Sequence, residues 1–394
     1  MPSASSGYRP LLRTSGAAAF FFTAAVARVG VAMTGLGLIW LLHARTGSYG
    51  TAGLATAGFA VAEALIGPHV ARLTDCYGQT RVLPFSLLAH GAAIAGVLVS
   101  ATPAVAIAAA TCAGAAVPQF GALSAARWAY LLRTGRAAEL PAAFSLESLA
   151  NATAYLLGPV LVSALGAAGD TTLASAIAAA LILGGGAALA AQRRTAPRPA
   201  REHAERAGAK GTLLRPEFLL VTLLALAIGL YFGTMSVAVS AYAIGHGVPG
   251  AAALIIAAAG LSGLLAGWLY GLRRHRAPAR RQLIIVTGWL TGTGLLLPWA
   301  PSVFWLGVAA VLTEAAVPPT LVLLNLRTEK AVHPAALTQA FTWNNSATAA
   351  GSALAAALAG RAADTWGAAA ALAQAPMAGG VLLILALVLW RLPE

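Results

Sequence analysis

Residues 71–83 read ARLTDCYGQTRVL, an aspartate, a glycine and two arginines gathered between two long apolar runs. The runs on either side, roughly 50–71 and 82–101, are about twenty residues each, long enough to cross a hydrocarbon core of about 30 Å. A short charged segment between two such runs predicts a membrane hairpin with its turn in water. Working outward, similar runs recur at about 15–42, 104–126, 142–168, 171–191, 216–245, 249–272, 282–299, 302–326, 336–360 and 367–391. The expected fold class is therefore an all-α integral membrane protein with twelve transmembrane helices.

Composition agrees. Only 9% of the 394 residues are charged, 59% are hydrophobic, and the mean hydropathy is +0.78. A soluble domain of this length needs more charge than that to make its surface. Segments of about ten residues with period-two alternation, which a membrane β-barrel would show, do not occur. Cys76 and Cys112 fit neither a disulfide framework nor a metal site. Arg9 and Arg13 precede the first apolar run as in a signal peptide, but that run extends to Leu42, too long for a cleaved segment, so it reads as the first span. No Gly-x-x-x-x-Gly-Lys loop, metal cluster or nucleophile elbow occurs, so neither enzymatic activity nor a cofactor is expected.

The net charge of +13 and pI near 10.8 are explained by topology. Threaded through twelve spans, 22 of the 25 Lys and Arg residues fall on one side, while Arg45 and Arg361 fall on the other and Arg28 within span one. That asymmetry predicts both termini in the cytoplasm. It also removes the case for nucleic-acid binding.

The segment 192–215, QRRTAPRPAREHAERAGAKGTLLR, is the one long polar stretch and reads as a cytoplasmic linker with a short surface helix. It separates a bundle at 1–191 from one at 216–394. The two halves echo each other. AAVP at 115–118 recurs at 315–318, each in the fourth span of its half. The fifth spans open with AAFSLES at 142–148 and QAFTWNN at 339–345, and the second-to-third loop is basic in both. Two pseudo-symmetric six-helix bundles form a transporter architecture, with the substrate site between them near the midplane.

The opening stretch resembles the loop 2–3 signature of the major facilitator superfamily, Gly-x-Leu-Ala-Asp-Arg-x-Gly-Arg-Arg-x-x-Leu. Leu73, Asp75, Gly78 and Leu83 match, and Arg81 lies one place beyond the last basic position; Ala71, Cys76, Gln79 and Thr80 depart from it. The resemblance implies that Asp75 latches the two halves in one state, against basic side chains and a neighbouring helix N-terminus. Arg81 and Arg127 are the basic partners it suggests, with Gly78 making the turn. A solvated aspartate balancing nearby arginines is the plainer reading. TGSYGTAGL (46–54), ARW (126–128), FSLES followed by GP (144–159) and LTQAFTW (337–343) resemble a bacterial, drug-efflux-like branch, which implies the inner membrane. Asn151, Ala152 and Gln339 stand where that branch often carries acids. Gly158 and Pro159 are similar to the core of an antiporter signature, although a Gly-Pro pair also bends a helix by itself.

Ionisable residues inside spans are functional candidates. Glu63, Glu147 and Glu314 qualify, with Arg28 as the buried base. Glu147 lies about five residues into span five, roughly 7–8 Å from its start. Asn151 and Tyr155 follow at one-turn intervals on the same face, as a polar wall of a translocation path or as a helix–helix hydrogen-bond cluster. Glu63 and Glu314 either load a proton or are held by Arg28 or the backbone. Trp343 and Asn344 open span eleven, the tryptophan as a ligand surface or an interfacial anchor, and Gln119 and His90 are weaker candidates. The whole predicts a monomeric secondary transporter exporting a small organic molecule against protons. An uncoupled facilitator or importer, or a transport-inactive scaffold or sensor, is the alternative.

Overall fold

The computed structural model describes residues 7–167, 171–199, 208, 211–273 and 277–391. Those residues are helical almost throughout. A short α1 (Tyr8–Leu12) leads into α2 (Ala17–Thr46), α3 (Tyr49–Tyr77), α4 (Gln79–Val99), α5 (Pro103–Ala116), α6 (Phe120–Leu132), α7 (Leu140–Ala167) and α8 (Thr171–Ala191). After the linker come α9 (Pro216–Gly245), α10 (Ala251–Leu272), α11 (Ala279–Gly294), α12 (Val303–Glu314), α13 (Val317–Ala331), α14 (Leu337–Trp366), α15 (Ala368–Leu372) and α16 (Gln374–Arg391). Among the described residues, ten helical segments are long and apolar enough to cross a membrane, with α5–α6, α12–α13 and α15–α16 each counted as one. Two expected spans fall outside that class. The helix of the ninth, α11, is 16 residues long, and α14, the eleventh, is diluted by Thr, Asn, Gln, Arg361 and Asp364.

The turn at 71–83 is tighter than a loop. Helix α3 runs through Asp75 to Tyr77, Gly78 turns the chain alone at φ +93°, and α4 begins at Gln79. Only glycine takes that dihedral without strain. Asp75 is thus a last-turn helical residue, not a loop residue.

Spans four and ten, expected as single helices, are each broken. Pro118 lacks an N–H and drives Val117 out of helical conformation, to φ −63° and ψ 126°, so α5 stops at Ala116 and α6 starts at Phe120. In the other half Pro318 and Pro319 open α13 two residues after α12 ends. The AAVP echo is the sequence of these two breaks.

Within the halves, helices cross at backbone contact. A Cβ on Gly229 of α9 would lie 2.1 Å from the Thr348 carbonyl oxygen of α14, and one on Gly351 of α14 would lie 2.1 Å from the Leu226 carbonyl oxygen of α9. Small residues at such crossings replace the hydrophobic drive that lipid does not supply.

The linker begins docked on the first half. Thr195 is buried and its methyl lies beside Gly16 at the start of α2. Linker residues 200–207 and 209–210, part of the segment expected to carry a short surface helix, lie outside the described residues. The halves meet at the end where the linker sits. There Phe144 of α7 meets Phe341 of α14 edge-on at 5.8 Å, and a Cβ on Gly271 of α10 would lie 2.6 Å from Ser145 of α7.

Candidate functional site

Arg28 of α2 and Glu147 of α7 form a buried ion pair, with 6% and 5% of their side chains exposed. Glu147 stands seven residues into α7, slightly deeper than its sequence position suggested. Its Oε2 accepts from the Arg28 guanidinium. Oε1 accepts from the Ser124 hydroxyl at 2.6 Å and from the Trp128 indole N–H at 2.8 Å, both on α6. Arg28 also donates to the Glu147 carbonyl oxygen at 3.3 Å. Both carboxylate oxygens are therefore satisfied by donors, one of them charged. A carboxylate so held is a fixed, charge-balanced anchor joining α2, α6 and α7. Ser124 and Trp128 escaped the sequence reading; their only local signal is a one-turn spacing on a helix that faces Glu147.

The mid-span acids are held differently, and neither pairs with Arg28. Glu63 of α3 accepts from the Gln119 amide at 2.9 Å, and Gln119 sits in the break between α5 and α6. Glu314, the last residue of α12 before the second break, accepts from the Tyr231 hydroxyl of α9 at 3.1 Å. Each half therefore places one carboxylate beside its helix break, bound by one neutral donor. Tyr231 was not foreseen, since a tyrosine in an apolar helix carries no local mark of its partner.

Tyr155 exposes 67% of its side chain, yet it is close enough to Glu63 and Arg28 to feel both charges. Asn151, one turn earlier, is also exposed. The expected stripe of three thus divides. Asn151 and Tyr155 are exposed, whereas Glu147 is buried in its ion pair.

Trp343 is 36% exposed and meets His69 of α3 edge-on at 6.4 Å. Asn345, about 200° around the helix from it, lies with Arg28 beside Gly121. Asn344 is taken up inside its own half, donating to the Thr328 hydroxyl at 2.7 Å and accepting from Thr222 at 3.0 Å. Gly158 is buried, and a Cβ there would lie 2.8 Å from the Ala32 backbone, so α7 and α2 touch at this point, with Pro159 exposed beyond it. His90 is fully buried with Nδ1 2.9 Å from the Ala113 carbonyl oxygen, a core position.

Asp75 reaches across to the other half. Its Oδ2 accepts from the backbone N–H of Gln339 at 2.9 Å, in the first turn of α14. Unpaired N–H groups and the helix dipole make that end attractive to a carboxylate. The backbone donates here, so glutamine at 339 serves the contact without an acid. The basic partners suggested for Asp75 are engaged elsewhere or apart. Arg127 is buried in its own half, donating to Gln79 Oε1 at 2.7 Å, Thr195 Oγ1 at 2.9 Å and the carbonyl oxygens of Leu189 and Gln192 at 3.0 and 3.1 Å. Arg81 is exposed. The counterpart of Arg127 by position in the other half, Arg327, pairs with Glu217 at the start of α9.

Residues 20–279 match the family model described as Major Facilitator Superfamily. The chain belongs to that superfamily. Solved structures of the same fold align along nearly the whole chain. A bacterial homologue of the iron transporter ferroportin, in an outward-facing state, is 12% identical with a TM-score of 0.78, covering 95% of this chain and 99% of that one. The human organic anion transporter MFSD10 (TETRAN) is 17% identical with a TM-score of 0.72, covering 95% and 98%. The superfamily transporter FucP, in the outward conformation, is 14% identical with a TM-score of 0.72, also covering 95% and 98%. No curated protein matches the chain. As a superfamily member with apolar helices throughout, this is a multi-pass membrane protein, and its fold is that of membrane transporters.

Proposed function

We propose that this protein is a proton-coupled secondary transporter of the bacterial inner membrane, exporting a small organic molecule by alternating access. In this reading all twelve spans cross, α11 and α14 included, both termini are cytoplasmic, the halves are 1–191 and 216–394, and the protein works as a monomer. The observation that carries it is the pair of carboxylates at the helix breaks. Glu63 and Glu314 each lie mid-span with one neutral hydrogen-bond donor and, among the described residues, no ion-pair partner. A carboxylate in that setting gains a proton when its surroundings dry and loses it when water returns.

Glu147 plays a different part in the cycle. With Arg28 against one oxygen and two donors against the other, it anchors three helices of the first half. Tyr155, Asn151 and Asn345 line the substrate path with Glu63 and Gln119. Asp75 serves as the latch of the closed cytoplasmic end, through the α14 N-terminus. The Gly158–Pro159 pair, similar to the core of an antiporter signature, favours export.

The test is transport in proteoliposomes against a panel of labelled organic compounds, with and without an imposed pH gradient. Glu63→Gln and Glu314→Gln imitate the protonated acids. At least one should abolish pH-driven accumulation while downhill exchange continues. Unchanged pH-driven accumulation in both variants would end the proton assignment, and no pH dependence in the parent protein would leave an uncoupled facilitator.

A further inference from the structure

The ten residues before α2 do more than start the chain. Tyr8, in the N-terminal segment, donates its hydroxyl to the Trp268 carbonyl oxygen of α10 at 2.8 Å, with the Gly267 carbonyl oxygen 3.3 Å away. The donor is tethered to the first half and the acceptors belong to the second. Burial pushes the phenol up to about 12, so it remains a neutral donor at any physiological pH.

The seam that receives it is unusually close. A Cβ on Gly271 would lie 2.2 Å from the Tyr8 hydroxyl oxygen and 2.6 Å from Ser145 Cβ. Tyr8, α7 and α10 thus converge on one glycine. Behind the tip, the segment is fixed to the first half at two points. Thr14 Oγ1 accepts from Arg136 at 3.0 Å, and Arg136 is itself forked onto Glu139 at 2.7 and 2.8 Å. Gly16, at φ +78°, turns the chain beneath Thr195, with its Cβ position 2.6 Å from that methyl. Leu11, between Tyr8 and Thr14, is buried.

The second half has the base of this device and places it differently. Thr212 Oγ1, just before α9, accepts from the backbone N–H of His333 at 3.1 Å, as Thr14 accepts from Arg136. That contact ties the end of the linker to the second half and does not reach the first. The strap that crosses between the halves is the N-terminal one.

We propose that residues 7–16 are a strap that locks the linker end shut, with Tyr8 as its bolt in the α7–α10 seam. The inference rests on the alternating-access reading, since a lock matters only if that end opens. Rocking the halves apart there must withdraw the Tyr8 hydroxyl from α10, while Thr14 and Gly16 hold the strap to the first half. The strap therefore biases the protein toward the state closed at the linker end.

The test uses the purified full-length protein, with Cys76 and Cys112 replaced by serine and Ser148→Cys as a reporter buried in α7. Its rate of reaction with a water-soluble maleimide reads the fraction of time the linker end is open. Tyr8→Phe keeps the ring and removes one hydrogen bond, so labelling should speed up by about two- to tenfold. Deleting residues 1–13 should raise it at least as much. Equal labelling of parent, Tyr8→Phe and the truncation would overturn the strap, as would a lowered melting temperature with no change in labelling. A reporter that stays unlabelled in every variant would sink alternating access at this end, and the strap with it.

Discussion

Glu147→Gln separates an anchor from a proton carrier. Glutamine keeps the shape of the side chain, and its carbonyl oxygen can still accept from Ser124 and Trp128, which share Oε1 at 2.6 and 2.8 Å. What it cannot keep is the charge opposite Arg28. Its amide N–H₂ would face the guanidinium, donor against donor, and leave a cation buried at 6% exposure without a counter-ion. Removing one partner of a buried pair costs about 3–5 kcal/mol. The retained hydrogen bonds place this case near the lower end, about 3 kcal/mol. For a cooperative unit the size of one half, that corresponds to a fall in melting temperature of about 6–12 °C. Replacing both residues, Arg28→Met with Glu147→Leu, removes the charge as well as the partner and should recover most of the loss. The assay is tryptophan fluorescence on heating in detergent micelles. A Glu147→Gln protein melting within about 2 °C of the parent would refute the anchor and return Glu147 to the list of proton carriers.

Asp75→Asn should weaken the contact with the Gln339 N–H by removing its charge, raising labelling of Ser148→Cys by about three- to tenfold while leaving insertion intact; no change would reduce Asp75 to a solvated residue. Gly229→Ala drives a methyl against the Thr348 carbonyl oxygen and should cost about 1–3 kcal/mol of stability, read as a lowered melting temperature; an unaffected melt would mean that α9 and α14 separate at no cost. Single cysteines at Ser48 and Ala101 should react with an impermeant thiol reagent from outside intact cells and one at Thr134 should not; the opposite pattern would invert the orientation.

The helices are legible in the sequence because hydrophobic length is a local property. The 71–83 turn, the linker start and the AAVP echo all fall where the structure has an element boundary or a break. What AAVP does, breaking two helices beside the mid-span acids, needed the three-dimensional neighbours. The same limit applies to charge pairing. Asp75 and Gln339 are 264 residues apart, and Arg28 and Glu147 are 119 apart. No local pattern marks such partners: the resemblance implied a helix N-terminus for Asp75 without identifying it, and the arginines proposed beside it, Arg81 and Arg127, are not its partners. Glu217–Arg327, Tyr231 and Ser124 stayed invisible for the same reason. They look like ordinary members of their helices until packing sets an acceptor opposite each donor.

The central claim is that the two halves rock about a cleft that opens at one end as it closes at the other. Pairs of spin labels at Ala101 with Pro301, on the end opposite the linker, and at Thr134 with Lys330, near it, measure both ends by electron–electron distance distributions. The account predicts two populations at each end that trade in opposite directions when pH is changed in proteoliposomes. When the Ala101–Pro301 distance shortens, the Thr134–Lys330 distance lengthens. A single distance at both ends, unmoved across pH 5 to 8 and by any transported compound, would contradict it.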